Sequence, residues 1–312
     1  VVLTVVQETT IAILGAGAWG TALGNLAVAN GHRVLLWSRR GTKTLDAVLQ
    51  EAQIVLSAIS MKGVRDVASQ IKSCPVSPET IFVTATKGLE PTTSATPSQI
   101  WQTTFPDNGV VVLSGPNLSA EIQKSLPAAT VVASNNTTAA KKVQMVFSSP
   151  RFRVYTNPDP LGVELGGTLK NVMAIAAGVC DGLQLGTNAK AALVTRGLTE
   201  MVRIGNFLGA KTETFYGLSG LGDLLATCNS PLSRNYQVGY QMACGKTLTN
   251  ILANLPGTAE GVNTCQVLMQ LVKQQNIAMP ITEQVYRLLQ GDVTPQQALD
   301  ELMLRDIKPE YH

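Results

Sequence analysis

Residues 166 to 173 read GGTLKNVM, and Lys170 is the only charged residue between Glu164 and Asp181. Its neighbours are glycines and aliphatics in a run with helical spacing. A charge in such surroundings is costly unless it is paired or used. A desolvated lysine has a lowered pKa and can shuttle a proton; a lysine that snorkels to the surface does neither. Gly166 and Gly167, one turn earlier, leave space beside it. A second lysine, Lys87 in TATKGLE, follows the strand-like run TIFVTA (80–85). Ligands of open α/β sheets lie at strand C-termini, although a loop lysine can also be plain solvated charge. The chain has two histidines. His32 leads into a strand in NGHRV, on the wrong side of a sheet for ligands, and His312 is the final residue. Proton transfer therefore falls to Lys, Asp, Glu or Tyr.

Further along, GLSGLGDLLATCNSPLSRN crowds Gly217, Gly220 and Gly222 before Asp223, and places Ser233-Arg234-Asn235 ahead of a helical segment. Arg beside hydroxyl and amide groups at a helix start can clamp a phosphate. A turn cap for Asp223 and an N-cap for Ser233 are the alternative roles.

ILGAGAWG supplies Gly15, Gly17 and Gly20 in a G-x-G-x-x-G pattern, directly after the run TIAIL (10–14) and opening a helix from Trp19. In that context the glycines give a tight turn, backbone approach to a pyrophosphate, and close helix–sheet packing. The next strand ends LLWSRRG, with Arg39 and Arg40 and no carboxylate before Asp46. Guanidinium suits a ribose 2′-phosphate, so NADP(H) is favoured and NAD(H) remains open; an ordinary surface pair is the alternative.

These groups need a scaffold. From residue 10 to about 158, short β-rich runs at 10–14, 33–37, 53–59, 80–85, 110–114, 129–133 and 152–156 alternate with helical stretches such as 19–29 and 64–71. That pattern predicts a parallel, doubly wound Rossmann-like α/β domain over residues 1–157. After the turn-rich TNPDPLG, β-runs disappear. Segments 161–180, 188–208, 233–243, 261–274, 280–290 and 295–303 carry helical spacing, which predicts an all-α C-terminal domain over 158–312.

With 312 residues, 45% hydrophobic and 14% charged, the composition is globular and the length suggests about two domains. A net charge of +3 without a basic run excludes a nucleic-acid stripe. Five scattered cysteines without C-x-x-C argue against zinc, any other metal site, or a disulfide framework, and fit reduced thiols in the cytoplasm. No apolar span of about 18 residues free of charge or clustered glycine stands out, so membrane insertion is not expected. The start VVLTVVQE lacks the positive region of a signal peptide.

GAGAWGTAL, KGLE, LSGPN, GVELGGTLKNVMAIAAG, AKAALVTRGLTEM, FYGLSGLGDLLATC, SRNYQVG, EGV and MPI occur in the order found in the bacterial-type NAD(P)-dependent glycerol-3-phosphate dehydrogenase family, which the chain resembles from residue 11 onward. The resemblance implies reversible reduction of dihydroxyacetone phosphate to sn-glycerol 3-phosphate for glycerophospholipid synthesis. It implies Lys170 as catalytic acid/base and Lys87 as a contact of both cofactor and substrate. It places Gly115, Asn117, Asp223, Ser233, Arg234 and Asn235 around the substrate, with Arg234 on the phosphate. Trp19, Arg39, Ser119, Arg234 and Glu260 would touch the cofactor, and a homodimer is the family's expected state. The stretch between Arg40 and Glu51 is shorter than the family pattern, AISMKGVR replaces a Pro-containing phrase, and Asn117 and Ser119 stand where Ser and Ala are common. The rival readings are a 6-phosphogluconate or β-hydroxyacid type dehydrogenase acting on a carboxylated substrate, and an NADPH-binding sensor without turnover.

Overall fold

The computed structural model describes residues 7–307, 309 and 310; His312 and residues 1–6 lie outside them. Seven strands, β1 (Thr10–Leu14), β2 (Arg33–Trp37), β3 (Ile54–Ser57), β4 (Ile81–Thr84), β5 (Val110–Ser114), β6 (Ala128–Ala133) and β7 (Phe152–Asn157), form one sheet in the order β2-β1-β3-β4-β5-β6-β7. The first five pair parallel. The expectation of a parallel sheet stops there: β6 pairs antiparallel with β5, and β7 runs parallel to β6. The apolar pattern cannot encode direction, because β5 is buried at every position and β6 nearly so, whichever way they run. The connection between them, with only a five-residue helix, returns the chain at the same end of the sheet.

The helices of this half are α1 (Ala18–Ala29), α2 (Leu45–Leu49), α3 (Val64–Ile71), α4 (Pro97–Thr104), α5 (Ser119–Gln123) and α6 (Thr137–Phe147). Alternate strand residues face opposite layers. Ile11, Ile13, Leu56 and Val111 pack with Ala22, Leu23 and Val143 from α1 and α6. Ala12, Leu14, Val55 and Phe82 pack with Val64, Val67 and Trp101 from α3 and α4. The short 38–53 connection holds α2, which is N-capped by Thr44 and buries Val48 and Leu49 beneath Trp37.

The second half contains α7 (Pro160–Gly182), α8 (Gly186–Phe207), α9 (Thr212–Phe215), α10 (Asp223–Cys228), α11 (Arg234–Ala243), α12 (Leu248–Asn254), α13 (Glu260–Gln275), α14 (Pro280–Gln290) and α15 (Pro295–Met303). Asp159 starts α7: its carboxylate accepts from Gly162 N (2.9 Å), Lys211 N (2.9 Å) and Thr214 Oγ1 (2.7 Å). Pro160 at the first turn suits a helix start. By length and composition α7 is apolar enough to cross a membrane, but it carries Lys170 and the Gly166-Gly167 pair, as the sequence reading noted, and 94% of its most apolar stretch is buried inside the protein. Its apolarity serves packing against α8, α10, α11 and α13, and Val163 near its start packs on Val112 and Val131 of the sheet. Lys170 therefore sits mid-way along a helix wrapped on all sides. A single wide π turn, Leu218–Gly222, closed by Gly222 N on Gly217 O (3.1 Å), delivers Asp223 to face it.

Candidate active site

Lys170 Nζ donates to Asp223 Oδ1 (3.1 Å) and to Thr227 Oγ1 (2.5 Å). Lys87 Nζ donates to the other carboxylate oxygen, Asp223 Oδ2 (2.5 Å), and lies 3.4 Å from Gly115 O. One buried carboxylate thus holds two ammonium groups from opposite halves of the chain. Burial pulls the Lys170 ammonium down to about 8; Asp223 opposes that shift and Lys87 adds to it. Burial alone would raise the Asp223 carboxyl, but Lys170 and Lys87 together hold it below its ordinary value. The cluster carries two positive charges and one negative, so it favours an anionic guest and a proton that can leave.

Room is made by Gly167. A Cβ there would overlap Ser114 Oγ and lie 3.3 Å from Lys87 Cε. Ser114 Oγ and Asn117 Oδ1 are buried and have no hydrogen-bond partner among the described residues. Asn117 Nδ2 donates to Thr130 Oγ1 (2.8 Å), and the Thr130 hydroxyl donates in turn to Ser114 O (2.9 Å). The Asn117 carbonyl is thereby left as an open acceptor near Gly115, the kind of orphan a polar ligand satisfies.

Arg234 is exposed as the first residue of α11, and Ser233 caps that helix through Tyr236 N (3.2 Å). Asn235 is largely spent on the fold: its Nδ2 donates to Asn171 Oδ1 (2.9 Å) and its Oδ1 accepts from Gly261 N (2.9 Å). It ties α7, α11 and α13 together and keeps one N–H for a ligand.

The glycine turn lies at the C-terminal end of β1, where strand order reverses between β1 and β3. Gly15 has φ +118°, and a Cβ on it would lie 2.6 Å from Ala58 O. A Cβ on Gly20 would overlap Gly15 O, whereas one on Gly17 would meet nothing within 4 Å. The start of α1 has no side-chain cap. Uncapped N–H groups beside open space at a helix N-terminus fit a dinucleotide pyrophosphate. Trp19 Nε1 donates to Ala85 O (3.3 Å), joining the turn to the strand end that carries Lys87. Glu260 opens α13 and accepts from Met61 N (3.3 Å), after β3; burial raises its pKa. Ser119 opens α5 half-buried, and Arg39 and Arg40 are exposed after β2.

Models of the NAD-dependent glycerol-3-phosphate dehydrogenase N-terminus and C-terminus match residues 10–44 with 40–140, and 159–300, respectively. The chain belongs to the NAD-dependent glycerol-3-phosphate dehydrogenase family. It is 81% identical over 306 residues to glycerol-3-phosphate dehydrogenase (NAD(P)+) of Trichormus variabilis, covering 98% of this chain and 100% of that one. It is 63% identical to the Acaryochloris marina enzyme of the same name over 97% of this chain and 98% of that one. The crystal structure of glycerol-3-phosphate dehydrogenase from Coxiella burnetii superposes with a TM-score of 0.92 at 36% identity, covering 96% of this chain and 99% of that chain. Because the Trichormus protein is matched along its whole length, chains with so short a stretch after Arg40 occur among near relatives.

Within this dehydrogenase family member, the structure brings Lys87, Gly115, Lys170 and Asp223 into direct contact and sets Asn117 beside them. Arg39 and Arg40 stay exposed and make no side-chain hydrogen bond or ion pair among the described residues. Lys170 is 8% exposed, so it does not snorkel. His32 is buried and structural, its Nδ1 accepting from Thr9 N (3.3 Å). Thr227 and Ser114 were missed in the sequence. Thr227 stands four residues after Asp223 in GDLLATC, a spacing that puts both on one helix face, and that signal was readable. Ser114 carried no such signal.

Proposed function

We propose that this chain reduces dihydroxyacetone phosphate to sn-glycerol 3-phosphate, with Lys170 giving its proton to the C2 oxygen. The observation that carries the reading is the single buried Asp223 shared by Lys170 and Lys87. When bound, the nicotinamide cofactor supplies the hydride to C2. Asp223 and Thr227 aim the Lys170 ammonium, and Lys87 offsets negative charge growing on the substrate oxygen. Gly115 and Asn117 line the substrate site, and Asn117 offers its unpartnered carbonyl to a substrate hydroxyl. Ser233, Arg234 and the remaining N–H of Asn235 receive the phosphate, whose remote binding energy then serves turnover. Gly15, Gly17 and Gly20 cradle the pyrophosphate, with Trp19, Lys87, Ser119, Arg234 and Glu260 along the cofactor. Arg39 and Arg40 favour NADP(H) over NAD(H), since they present guanidinium and no carboxylate to the ribose.

The reaction is reversible and would supply glycerophospholipid synthesis in the cytoplasm. We divide the chain into a cofactor domain to residue 157 and a substrate domain from 158. A homodimer rests on family likeness alone.

The test is oxidation of NADPH and NADH by purified protein with dihydroxyacetone phosphate, run beside a β-hydroxyacid and 6-phosphogluconate. Turnover on the phosphorylated ketone alone is expected. Turnover on a carboxylated substrate instead would favour the rival dehydrogenases. NADPH binding with no turnover on any of them would make the protein a sensor.

A further inference from the structure

Residues 255–259, LPGTA, run from α12 to α13 as a short strap. Leu255 and Ala259 at its ends are buried in the helical core, while Pro256, Gly257 and Thr258 between them are exposed. The middle of the strap lies against the Arg234 side chain. A Cβ on Gly257 would overlap Arg234 Nη1 and lie 3.4 Å from Cζ and 3.6 Å from Cδ. Arg234 donates no hydrogen bond to the protein among the described residues; the Glu260 carboxylate attracts it through space, and contact with the bare Gly257 backbone limits where its long side chain points. Both ends of the strap are anchored, so the wall itself is not free to retreat.

We infer that Gly257 is a positioning residue that sets the direction of the Arg234 guanidinium and thereby selects a phosphate-bearing substrate. The inference rests on Arg234 receiving the phosphate, as proposed above. A methyl group at position 257 meets the far end of a flexible side chain, which yields more easily than backbone. The fold therefore accommodates the methyl, and the guanidinium moves off line. Two parallel N–H···O bonds to a phosphate tolerate little such movement, since the guanidinium fork is planar and rigid. Gly257 also has φ +91°, which strains any L-residue independently of the clash. Gly291, at φ +83° with nothing within 4 Å of its would-be Cβ, provides a control that carries the strain alone.

The experiment compares Gly257→Ala, Gly291→Ala, Arg234→Ala and the Gly257→Ala/Arg234→Ala double variant on dihydroxyacetone phosphate and on unphosphorylated dihydroxyacetone. With NADPH saturating, so that any contact of Arg234 with the cofactor does not enter, Gly257→Ala is expected to raise KM for the phosphorylated substrate about tenfold and leave kcat/KM for dihydroxyacetone unchanged. Gly291→Ala should change neither, and adding Gly257→Ala to Arg234→Ala should cost nothing further. If Gly257→Ala leaves the phosphorylated KM unchanged while Arg234→Ala raises it, the inference is overturned and the assignment of Arg234 stands. Equal losses on both substrates, or additive losses in the double variant, also overturn it. If Arg234→Ala itself does not affect the phosphorylated substrate, the prior assignment of Arg234 is what fails. Should Gly257→Ala not fold, Gly257→Asn tolerates positive φ and carries the same Cβ, with the same expected outcomes.

Discussion

The glycine turn at residues 15–20 and the cluster around Asp223 both reach the segment after β4, the turn through Trp19 on Ala85 and the cluster through Lys87, but they are made of different material. The turn is a continuous piece of backbone, and what matters in it is the absence of side chains at Gly15, Gly17 and Gly20. The cluster is made of side chains drawn from 53 and 136 residues away, buried and charged. The turn offers fixed N–H dipoles that need no partner to exist. The cluster depends on three ionised groups holding one another out of water, and a change to one of them alters the other two.

Perturbing each region alone should separate the two. The largest effect belongs to the cluster. Lys170→Met is expected to lower kcat with dihydroxyacetone phosphate by about 10²–10⁴-fold, the range for a lost general acid, while NADPH still binds by fluorescence titration. Near-normal turnover would remove Lys170 from the chemistry. Within the turn, Gly20→Ala and Gly17→Ala should diverge. The Gly20 methyl overlaps Gly15 O and should cost about 1–3 kcal/mol in urea unfolding. The Gly17 methyl enters open space and should spare stability but weaken NADPH binding.

The cluster should also respond to pH where the turn does not. Lys170 must hold its proton to donate it, so kcat for reduction should fall as pH rises through about 8. Oxidation of sn-glycerol 3-phosphate, which needs the free amine, should rise over the same interval, and NADPH affinity should stay flat. The smallest effect is at the rim of the cofactor site: Arg39→Ala should cut the NADPH-over-NADH ratio of kcat/KM by about tenfold, because one guanidinium–phosphate contact is lost. An unchanged ratio would make the exposed pair ordinary surface charge.

Much of both regions was legible before any coordinates. The bounds of α3, β1, β2 and β5 agree with the runs read from the sequence, because continuous apolar strands and 3.6-residue spacing are local properties. The reversal at β6 was not legible, since a buried strand looks the same in either direction. Nor were the elements that bury α7: the apolar run announced a buried helix but did not name α8, α10, α11 and α13 as its partners. Asn235 read as a ligand residue, yet most of its hydrogen-bonding capacity goes to Asn171 and Gly261, partners that no spacing rule connects. Gly257 stood out in no motif, and its relation to Arg234 exists only across the strap.

By itself, the sequence determined that a lysine in an apolar helix must be paired or used, that a glycine turn follows the first strand, and that histidine would not move the proton. Those conclusions rest on the cost of burying charge and on the conformational freedom of glycine, which act wherever the residues end up. The tertiary structure decided that Lys170 and Lys87 share one carboxylate, and that a bare glycine backbone stands against Arg234. Such relations depend on which distant segments pack together, and hydrophobic burial that is non-directional leaves them open until the whole chain has closed.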